Sequence, residues 1–247
     1  MSVPNHVVIL GCGRSGTSIF GELFDHLPDY RYYSEPSFSE VVDFNYSQPV
    51  AMKVPRESEG FLPDAGLSFP LKILLERVSS PLQFYWQVRH PLDTICSLKV
   101  GISRNWGHHP KPPDWQDWLN RPLLERCAHH WNYINTVGYQ QVAEHVTVTR
   151  FEDMLKDSLA FAQSISEQVG LDIRQNEPYL RQWANRVQNK NNNQFVEAET
   201  SRPYSTKDHS VKIARWKENL SPTEVTQILP LIRDTAEKFD YDLSDVG

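Results

Sequence analysis

The sequence has few cysteines, and their arrangement excludes two common kinds of scaffold. The three cysteines stand far apart, at Cys12, Cys96 and Cys127, and they form no C-x-x-C pair. An odd number of widely spaced cysteines supports neither a disulfide framework nor a cysteine zinc site. We therefore expect reduced thiols, which are typical of a cytoplasmic protein.

Long apolar runs are also missing. No stretch of the 247 residues approaches the ~20 apolar residues that a membrane-spanning helix needs. The first strongly apolar stretch, Val7 to Leu10, is shorter than the core of a signal peptide and has no basic leader before it. We expect a cytoplasmic chain with no membrane span.

The sequence has fewer positively charged than negatively charged side chains. The chain has 25 lysines and arginines against 31 aspartates and glutamates, which gives a formal net charge of −6. Nucleic-acid binding depends on a basic surface, so we expect no nucleic-acid partner, although a local basic pocket for one small anion is compatible with this charge. Hydrophobic residues make up 39% of the chain, which is enough for a core and excludes a wholly disordered chain.

Strand and helix patterns alternate along the chain. The strands are predicted at His6–Leu10, Arg31–Ser34, Val50–Val54, Gln83–Val88 and Val146–Thr149. The helices are predicted at Thr17–Leu27, Leu92–Val100, Leu123–Val142 and Asp157–Val169, and from a Ser221/Glu224 capping box to about Phe239. This alternation predicts an α/β fold of three layers, with helices on both faces of a central mostly parallel sheet. We expect residues 1–247 to form one domain, with a long loop or lid around 189–213.

The turn after the first strand has the pattern of a phosphate-binding loop. Gly11 to Ser18 reads G-C-G-R-S-G-T-S, against G-x-x-x-x-G-K-[ST] in nucleotide-binding loops. Both glycines and the last hydroxyl fit, so the backbone N–H groups at the helix start can face an anion. However, Thr17 replaces the lysine that binds the β- and γ-phosphates, Arg14 stands inside the loop, and no convincing magnesium-binding aspartate follows a second apolar strand. The pattern favours a nucleotide whose terminal group differs from that of a triphosphate.

Two segments together resemble the sulfotransferases that use 3′-phosphoadenosine 5′-phosphosulfate (PAPS). Arg14-Ser-Gly-Thr-Ser18 is similar to the loop with which this family binds the 5′-phosphosulfate. In the family's 3′-phosphate segment an arginine ends a strand and a serine follows eight positions later, as Arg89 and Ser97 do in Val88-Arg-His-Pro-Leu-Asp-Thr-Ile-Cys-Ser97. A guanidinium offers phosphate a planar fork of donors, and a hydroxyl adds another donor.

Two further segments support the resemblance. Ala214-Arg-Trp-Lys217 is similar to the family's C-terminal Arg-Trp-Lys segment, and Arg150-Phe-Glu-Asp153 is similar to its Arg-Tyr-Glu-Asp stretch, with phenylalanine replacing the tyrosine. The resemblance implies a P-loop NTPase-like sulfotransferase fold, a PAPS donor, adenosine 3′,5′-bisphosphate (PAP) as product, and no required metal. The donor-binding residues it implies are Gly13, Arg14, Ser15, Gly16, Thr17, Ser18, Arg89, Ser97, Phe151, Arg215, Trp216 and Lys217. Core packing is the alternative for Trp216, and solvated surface charge is the alternative for Arg215 and Lys217.

The resemblance also implies catalytic roles. Arg14 stands where it would stabilise the leaving bridging oxygen. The histidine of the family's Lys-x-His segment is absent, because Lys53-Val-Pro55 stands in its place. Another branch of the family uses a glutamate after the second strand, and Glu35 matches it, so we expect Glu35 to be the general base and Lys53 to steady the sulfonate oxygens. A surface carboxylate or a helix-capping partner is the alternative for Glu35.

These features predict a sulfotransferase that acts on a hydroxyl of a small-molecule or peptide acceptor. A nucleotide kinase-like phosphotransferase with a degenerate loop and a non-catalytic nucleotide-binding protein are the alternatives. The pairs His108-His109 and His129-His130 are poor chelates because neighbouring residues on a helix point apart, so no metal site is expected. Four tryptophans fit an acceptor pocket or plain core packing: Trp106, Trp115, Trp118 and Trp131.

Overall fold

The structure is a computed structural model of the chain. It describes residues 4–53, 69–78, 81–103, 105–188, 213–244 and 246. The loop or lid predicted around 189–213 lies outside the described residues, apart from Ile213 at its end. None of the helices in these described ranges is both long enough and apolar enough to cross a bilayer.

Five parallel strands form one sheet, in the order β2-β3-β1-β4-β5. They are β1 (His6–Gly11), β2 (Arg31–Ser34), β3 (Val50–Lys53), β4 (Leu82–Val88) and β5 (Val146–Arg150). The prediction of an α/β fold with a central mostly parallel sheet is confirmed. Because parallel strands end at the same edge, the carboxyl ends of β1, β2, β3 and β4 lie side by side there, where ligands of open α/β sheets bind.

Helices cover both faces of the sheet. They are α1 (Thr17–Asp25), α2 (Phe38–Asp43), α3 (Leu71–Arg77), α4 (Pro91–Ser103), α5 (Leu123–Tyr133), α6 (Phe151–Lys156), α7 (Ser158–Gln168), α8 (Ile173–Gln188), α9 (Trp216–Asn219) and α10 (Pro222–Lys238). The helix predicted over Leu123–Val142 is α-helical only to Tyr133, and a π-helix continues it over Ile134–Gly138. The capping box predicted at the start of the last helix is present.

The two faces of the sheet carry separate cores, because successive residues of a strand point to opposite sides. Val8 and Leu10 of β1 pack in the cluster that includes α4, α5 and α10. Val7 and Ile9 pack in the cluster that includes α1, α7 and α8. Each fully buried large apolar side chain stabilises the fold by about 1.5–3 kcal/mol. The doubly packed sheet therefore holds the segments at its carboxyl edge in fixed positions.

Candidate active site

The glycine loop turns from the end of β1 into α1. Gly16 has φ 88°, in the left-handed region that favours glycine, and no side chain caps α1 there. A Cβ on Gly16 would come within 2.3 Å of Phe151 Cδ2. Glycine is therefore required for both conformation and space. The first N–H groups of a helix lack intrahelical partners, and its N-terminus attracts anions, so this end of α1 is suited to a phosphate or sulfate.

Two serines and a threonine add hydroxyls to this loop. Ser15 is fully buried, and its Oγ has no hydrogen-bond partner among the described residues. An unpaired buried polar group costs about 1–3 kcal/mol, so a polar ligand at the loop would relieve this cost. Thr17 is also buried, and the Ser18 hydroxyl accepts a hydrogen bond from Lys53 Nζ at 3.0 Å. The loop thus offers several hydrogen-bond donors to a phosphate or sulfate group.

Arg89 reaches the glycine loop from the segment that follows β4. Its Nη1 donates to the backbone oxygen of Arg14 at 3.4 Å. Its guanidinium also lies over the Phe151 ring, 4.4 Å from the centroid. That ring is 1% exposed and packs against Gly16 as well. Phe151 therefore supports both the loop and the guanidinium in this structure, whereas the sequence resemblance implied only that it binds the donor.

Arg215 reaches the same place from the other end of the chain, and Asp93 in the first turn of α4 holds it there. The two carboxylate oxygens of Asp93 accept N–H groups on either side of Arg215, from Ala214 N at 2.8 Å and Trp216 N at 2.9 Å. Both Asp93 and Arg215 are buried. Ala214 has φ 60°, a conformation that costs a non-glycine residue roughly 1–2 kcal/mol. The hydrogen bonds to Asp93 offset that cost and fix the backbone of Arg215.

The three arginines influence one another electrostatically. Burial, followed by the charges of Arg89 and Arg215, lowers the pKa of Arg14 to about 10. Burial also lowers the pKa of Arg89, whereas the carboxylates of Asp93 and Glu152 raise it. At a pKa of about 10, the Arg14 guanidinium stays charged at neutral pH. A cluster of like charges, of which Arg89 and Arg215 are buried, is unfavourable alone and favours a multivalent anion between them.

A second network, of hydrogen bonds and a ring stack, stabilises the segment that carries Arg89. Glu152 Oε1 accepts from His90 N at 2.9 Å, and Glu152 Oε2 accepts from the Tyr241 hydroxyl at 2.6 Å. The Trp216 ring stacks on the His90 ring, with centroids 5.9 Å apart and an angle of 6°. The glutamate of the Arg150-Phe-Glu-Asp153 stretch therefore ties β4, α6 and the C-terminal segment together.

Glu35, Lys53 and Ser18 form a polar group at the carboxyl ends of β2, β3 and the loop. Lys53 Nζ lies 2.6 Å from Glu35 Oε1 and 3.0 Å from Ser18 Oγ. Lys53 is buried, whereas the Glu35 side chain is 46% exposed. Glu35 has φ 55°, and its N–H donates to the Lys53 backbone oxygen at 2.9 Å. An exposed carboxylate in a strained backbone position beside the loop is typical of a functional group.

Two further predicted residues, Ser97 and Lys217, lie on α4 and α9. Ser97 is buried on α4, two turns beyond the segment of Arg89. Lys217 is exposed, and its ammonium lies 5.6 Å from the centroid of the Trp216 ring.

The aromatic and histidine candidates fall into two groups. Trp106 and Trp131 are fully buried core residues. Trp118 is half-buried and stacks on His129, with ring centroids 4.0 Å apart. In the described ranges, no three histidine, cysteine, aspartate or glutamate side chains could together hold a metal ion.

Sequence reasoning missed Asp93, Glu152 and His108 as residues of this site. Asp93 and Glu152 stand inside the motifs that the sequence analysis singled out, but both act over more than 60 positions of chain. His108, which sequence reasoning considered only as a metal ligand, packs against Gly13 of the loop: a Cβ on that glycine would lie 3.3 Å from His108 Nδ1.

Comparison with known proteins identifies the architecture. No protein-family model matches the chain, and no curated protein matches it in sequence. Among solved structures, the chain is similar to mouse sulfotransferase SULT7A1 complexed with PAP, with a TM-score of 0.59 and 16% identity over 96% of this chain and 85% of that one. It is also similar to retinol dehydratase in complex with androsterone and inactive cofactor PAP, with a TM-score of 0.54 and 15% identity over 98% and 83% of the two chains.

A second structure of retinol dehydratase, with retinol and PAP, is similar at a TM-score of 0.53 and 14% identity over 98% of this chain and 83% of that one. The sequence identities are low, and what these structures share with this chain is the arrangement of strands and helices. The chain has the sulfotransferase fold, and the fold expected from the sequence resemblance is confirmed.

Proposed function

We propose, starting from the sulfotransferase fold, that this chain is a PAPS-dependent sulfotransferase that transfers a sulfuryl group to a hydroxyl of an acceptor. The observation that carries the proposal is the meeting of three arginines at the glycine loop. Arg14, Arg89 and Arg215 come from three segments far apart in the chain, and the charges of Arg89 and Arg215 both lower the pKa of Arg14. Arg89 and Arg215 are buried, and three guanidinium groups that lie this close together suit a nucleotide with anionic groups at both ends.

Two anion-binding regions would each hold one end of the donor nucleotide. The N–H groups of the loop and the hydroxyls of Ser15, Thr17 and Ser18 would hold the 5′-phosphosulfate, as the orphaned Ser15 hydroxyl supports. Arg89 and the Ser97 hydroxyl would hold the 3′-phosphate. Arg215 and Lys217 would complete the phosphate contacts, with Trp216 packed against His90 behind them.

The bound donor supplies the sulfuryl group and a phosphate leaving group. Arg14 neutralises the negative charge that develops on the bridging oxygen as the sulfur–oxygen bond breaks, and it stays protonated because a guanidinium is a poor acid. Lys53, whose ammonium lies 3.0 Å from Ser18 Oγ of the loop, would contact the sulfuryl oxygens. Glu35 takes the proton of the acceptor hydroxyl as the new sulfur–oxygen bond forms.

The ion pair between Glu35 and Lys53 supports these two roles. At 2.6 Å it fixes the carboxylate next to the loop, and the exposure of Glu35 leaves it accessible to an acceptor. Most of the catalysis is then positioning and electrostatic stabilisation, which needs rigid elements and no change of charge on the arginines.

The direct test is transfer of labelled sulfate. The chain is incubated with PAPS carrying ³⁵S and a panel of phenols, sugars, lipid alcohols and tyrosine peptides. We expect label in at least one acceptor class and its loss in Arg14→Ala. If PAP binds but no acceptor receives label, the chain is a nucleotide-binding protein without this activity.

A further inference from the structure

His108 lies in the segment between α4 and α5, outside all the motifs that define the site. The chain reverses direction directly after α4, where Asn105 and Trp106 have φ of 51° and 55°. Gly107 N then donates to Gly101 O at 2.8 Å. This reversal returns the chain along α4 and brings His108 to the carboxyl edge of the sheet.

Two glycines make room for the His108 ring. A Cβ on Gly101 of α4 would lie 2.2 Å from His108 Nε2, and a Cβ on Gly13 of the loop would lie 3.3 Å from His108 Nδ1. Any side chain at Gly101 would overlap the ring. The imidazole therefore occupies a slot between α4 and the glycine loop, with Nδ1 on the loop side.

A fully buried histidine, His130, supports this half-buried ring from within the core. The His130 ring centroid lies 6.0 Å from that of His108. Trp106 Nε1 donates to His130 Nδ1 at 3.2 Å, so that nitrogen carries no proton. Both His130 and Trp106 are fully buried, and they hold the turn that carries His108 in one position.

The surroundings keep the His108 imidazole neutral. Burial, followed by the charges of Arg14 and His109, lowers its pKa to about 4, although the charge of Glu35 opposes them. The other titratable group that acts on it is His130, on α5. A neutral imidazole has one N–H donor and one acceptor nitrogen. Placing such a ring in a half-buried slot is unfavourable where its nitrogens lose hydrogen bonds to water, and an apolar side chain of similar size would fill the slot at no such cost.

We propose that His108 is a specificity-determining residue of the donor site, and that its Nδ1–H donates a hydrogen bond to a sulfuryl oxygen of bound PAPS. The inference rests on the proposed function and extends it. The ring lies against the loop that would hold the 5′ end, and it is near both Arg14, expected at the leaving oxygen, and Glu35, expected at the acceptor. The transferred group lies between those two residues. His108 therefore distinguishes the sulfated donor from the product PAP, which lacks the sulfuryl group.

The test compares two nucleotides and needs no acceptor. Dissociation constants for PAPS and PAP are measured by calorimetry for the unmodified chain, His108→Leu and His108→Gln. We expect His108→Leu to weaken PAPS binding about tenfold, the size of one hydrogen bond to a charged group, and to leave PAP binding unchanged within about twofold. His108→Gln should recover part of the loss, because its amide can donate an N–H to the same oxygen.

The neighbouring exposed histidine provides the control, since His109→Leu should leave both constants unchanged. If His108→Leu unfolds, His108→Phe replaces it, because phenylalanine keeps a planar ring without nitrogen. Equal weakening of both nucleotides, or no weakening of PAPS, overturns the inference and leaves the proposed function standing. A chain that binds neither nucleotide before any substitution contradicts the proposed function itself, and the inference with it.

Discussion

Arg89 Nη1 donates to the backbone oxygen of Arg14 at 3.4 Å, although the two residues come from loops after different strands. β4 is the direct neighbour of β1 in the sheet, so the segments that follow these strands meet at the carboxyl edge. The contact places a guanidinium of the expected 3′-phosphate region beside the expected 5′-phosphosulfate loop. One nucleotide can therefore bridge the two regions.

Replacement of Glu35 by glutamine tests the general base. The amide keeps an oxygen for the Lys53 ammonium, so PAP binding should change by less than about twofold, whereas turnover should fall by about 10²- to 10⁴-fold because the amide cannot accept the proton. Turnover with the best acceptor and calorimetry with PAP measure the two effects. Glu76→Gln is a matched control, because Glu76 forms an ion pair with Lys72 on the surface of α3 and should affect neither. Full turnover of Glu35→Gln at every pH would show that another group is the base.

Alanine substitutions at Gly16 in the loop and at Gly170 after α7 separate two destabilising effects. One is the positive φ, and the other is the clash of a Cβ with the Phe151 ring. Both glycines have positive φ, 88° and 81°, so alanine costs each roughly 1–2 kcal/mol of stability. A Cβ at Gly16 also meets the Phe151 ring at 2.3 Å, whereas nothing lies within 4 Å at Gly170. Urea denaturation should show Gly16→Ala to be less stable than Gly170→Ala by a further ~1–3 kcal/mol. Equal losses would mean that Phe151 does not confine the loop.

Asp93→Asn tests whether Asp93 positions Arg215. The amide keeps only one of the two acceptor oxygens that hold the backbone on either side of Arg215. We expect PAP to bind about tenfold more weakly, since one charge-assisted hydrogen bond is lost. In an Arg215→Ala background the same substitution should have almost no further effect, because its target is gone. Calorimetry on the four variants measures this coupling, and additive losses would contradict it.

The low pKa of His108 makes stability depend on pH. In the unfolded chain this imidazole titrates near 6.5, and in the folded chain burial lowers its pKa to about 4. Between these values the unfolded chain binds more protons, so the free energy of unfolding decreases as the pH falls from 6.5 to 4. The contribution of this one group is about 3 kcal/mol.

Other histidines with lowered pKa act in the same direction: His6, His90, His109 and His130. The measurement is therefore the difference between the unmodified chain and His108→Leu in urea denaturation at pH 7 and pH 4.5. The variant should lose less stability over this range. An identical loss would show that His108 is protonated in the folded chain.

The strands and the glycine loop were predictable from the sequence because their signals are local. Val7 to Leu10 is a continuous apolar run followed by glycines, and such a pattern predicts a buried strand and a turn without knowledge of the rest of the chain. The Ser221/Glu224 capping box is equally local. The same S-x-x-E spacing at Ser37 and Glu40 also starts a helix, but that helix, α2, has six residues and too few turns to show a period.

The contacts that hold the site together were not predictable, because they join residues that are far apart in the sequence. Asp93 accepts from Ala214 and Trp216, more than 120 positions away, and no spacing rule links such residues. His108 approaches the loop only because the chain reverses after α4 with two non-glycine residues at positive φ. Such a conformation is uncommon for these residue types and is set by tertiary packing.

The central claim, one nucleotide held at both ends, is tested most directly by calorimetric titration without magnesium. The unmodified chain and Arg89→Ala are titrated with PAP and with adenosine 5′-monophosphate, which lacks the 3′-phosphate, and Arg233→Ala on the exposed face of α10 is the control. We expect PAP to bind the unmodified chain and Arg233→Ala about 100-fold more tightly than adenosine 5′-monophosphate, and Arg89→Ala to lose most of this preference. Equal affinity of the unmodified chain for the two nucleotides, or binding of neither, would contradict the account.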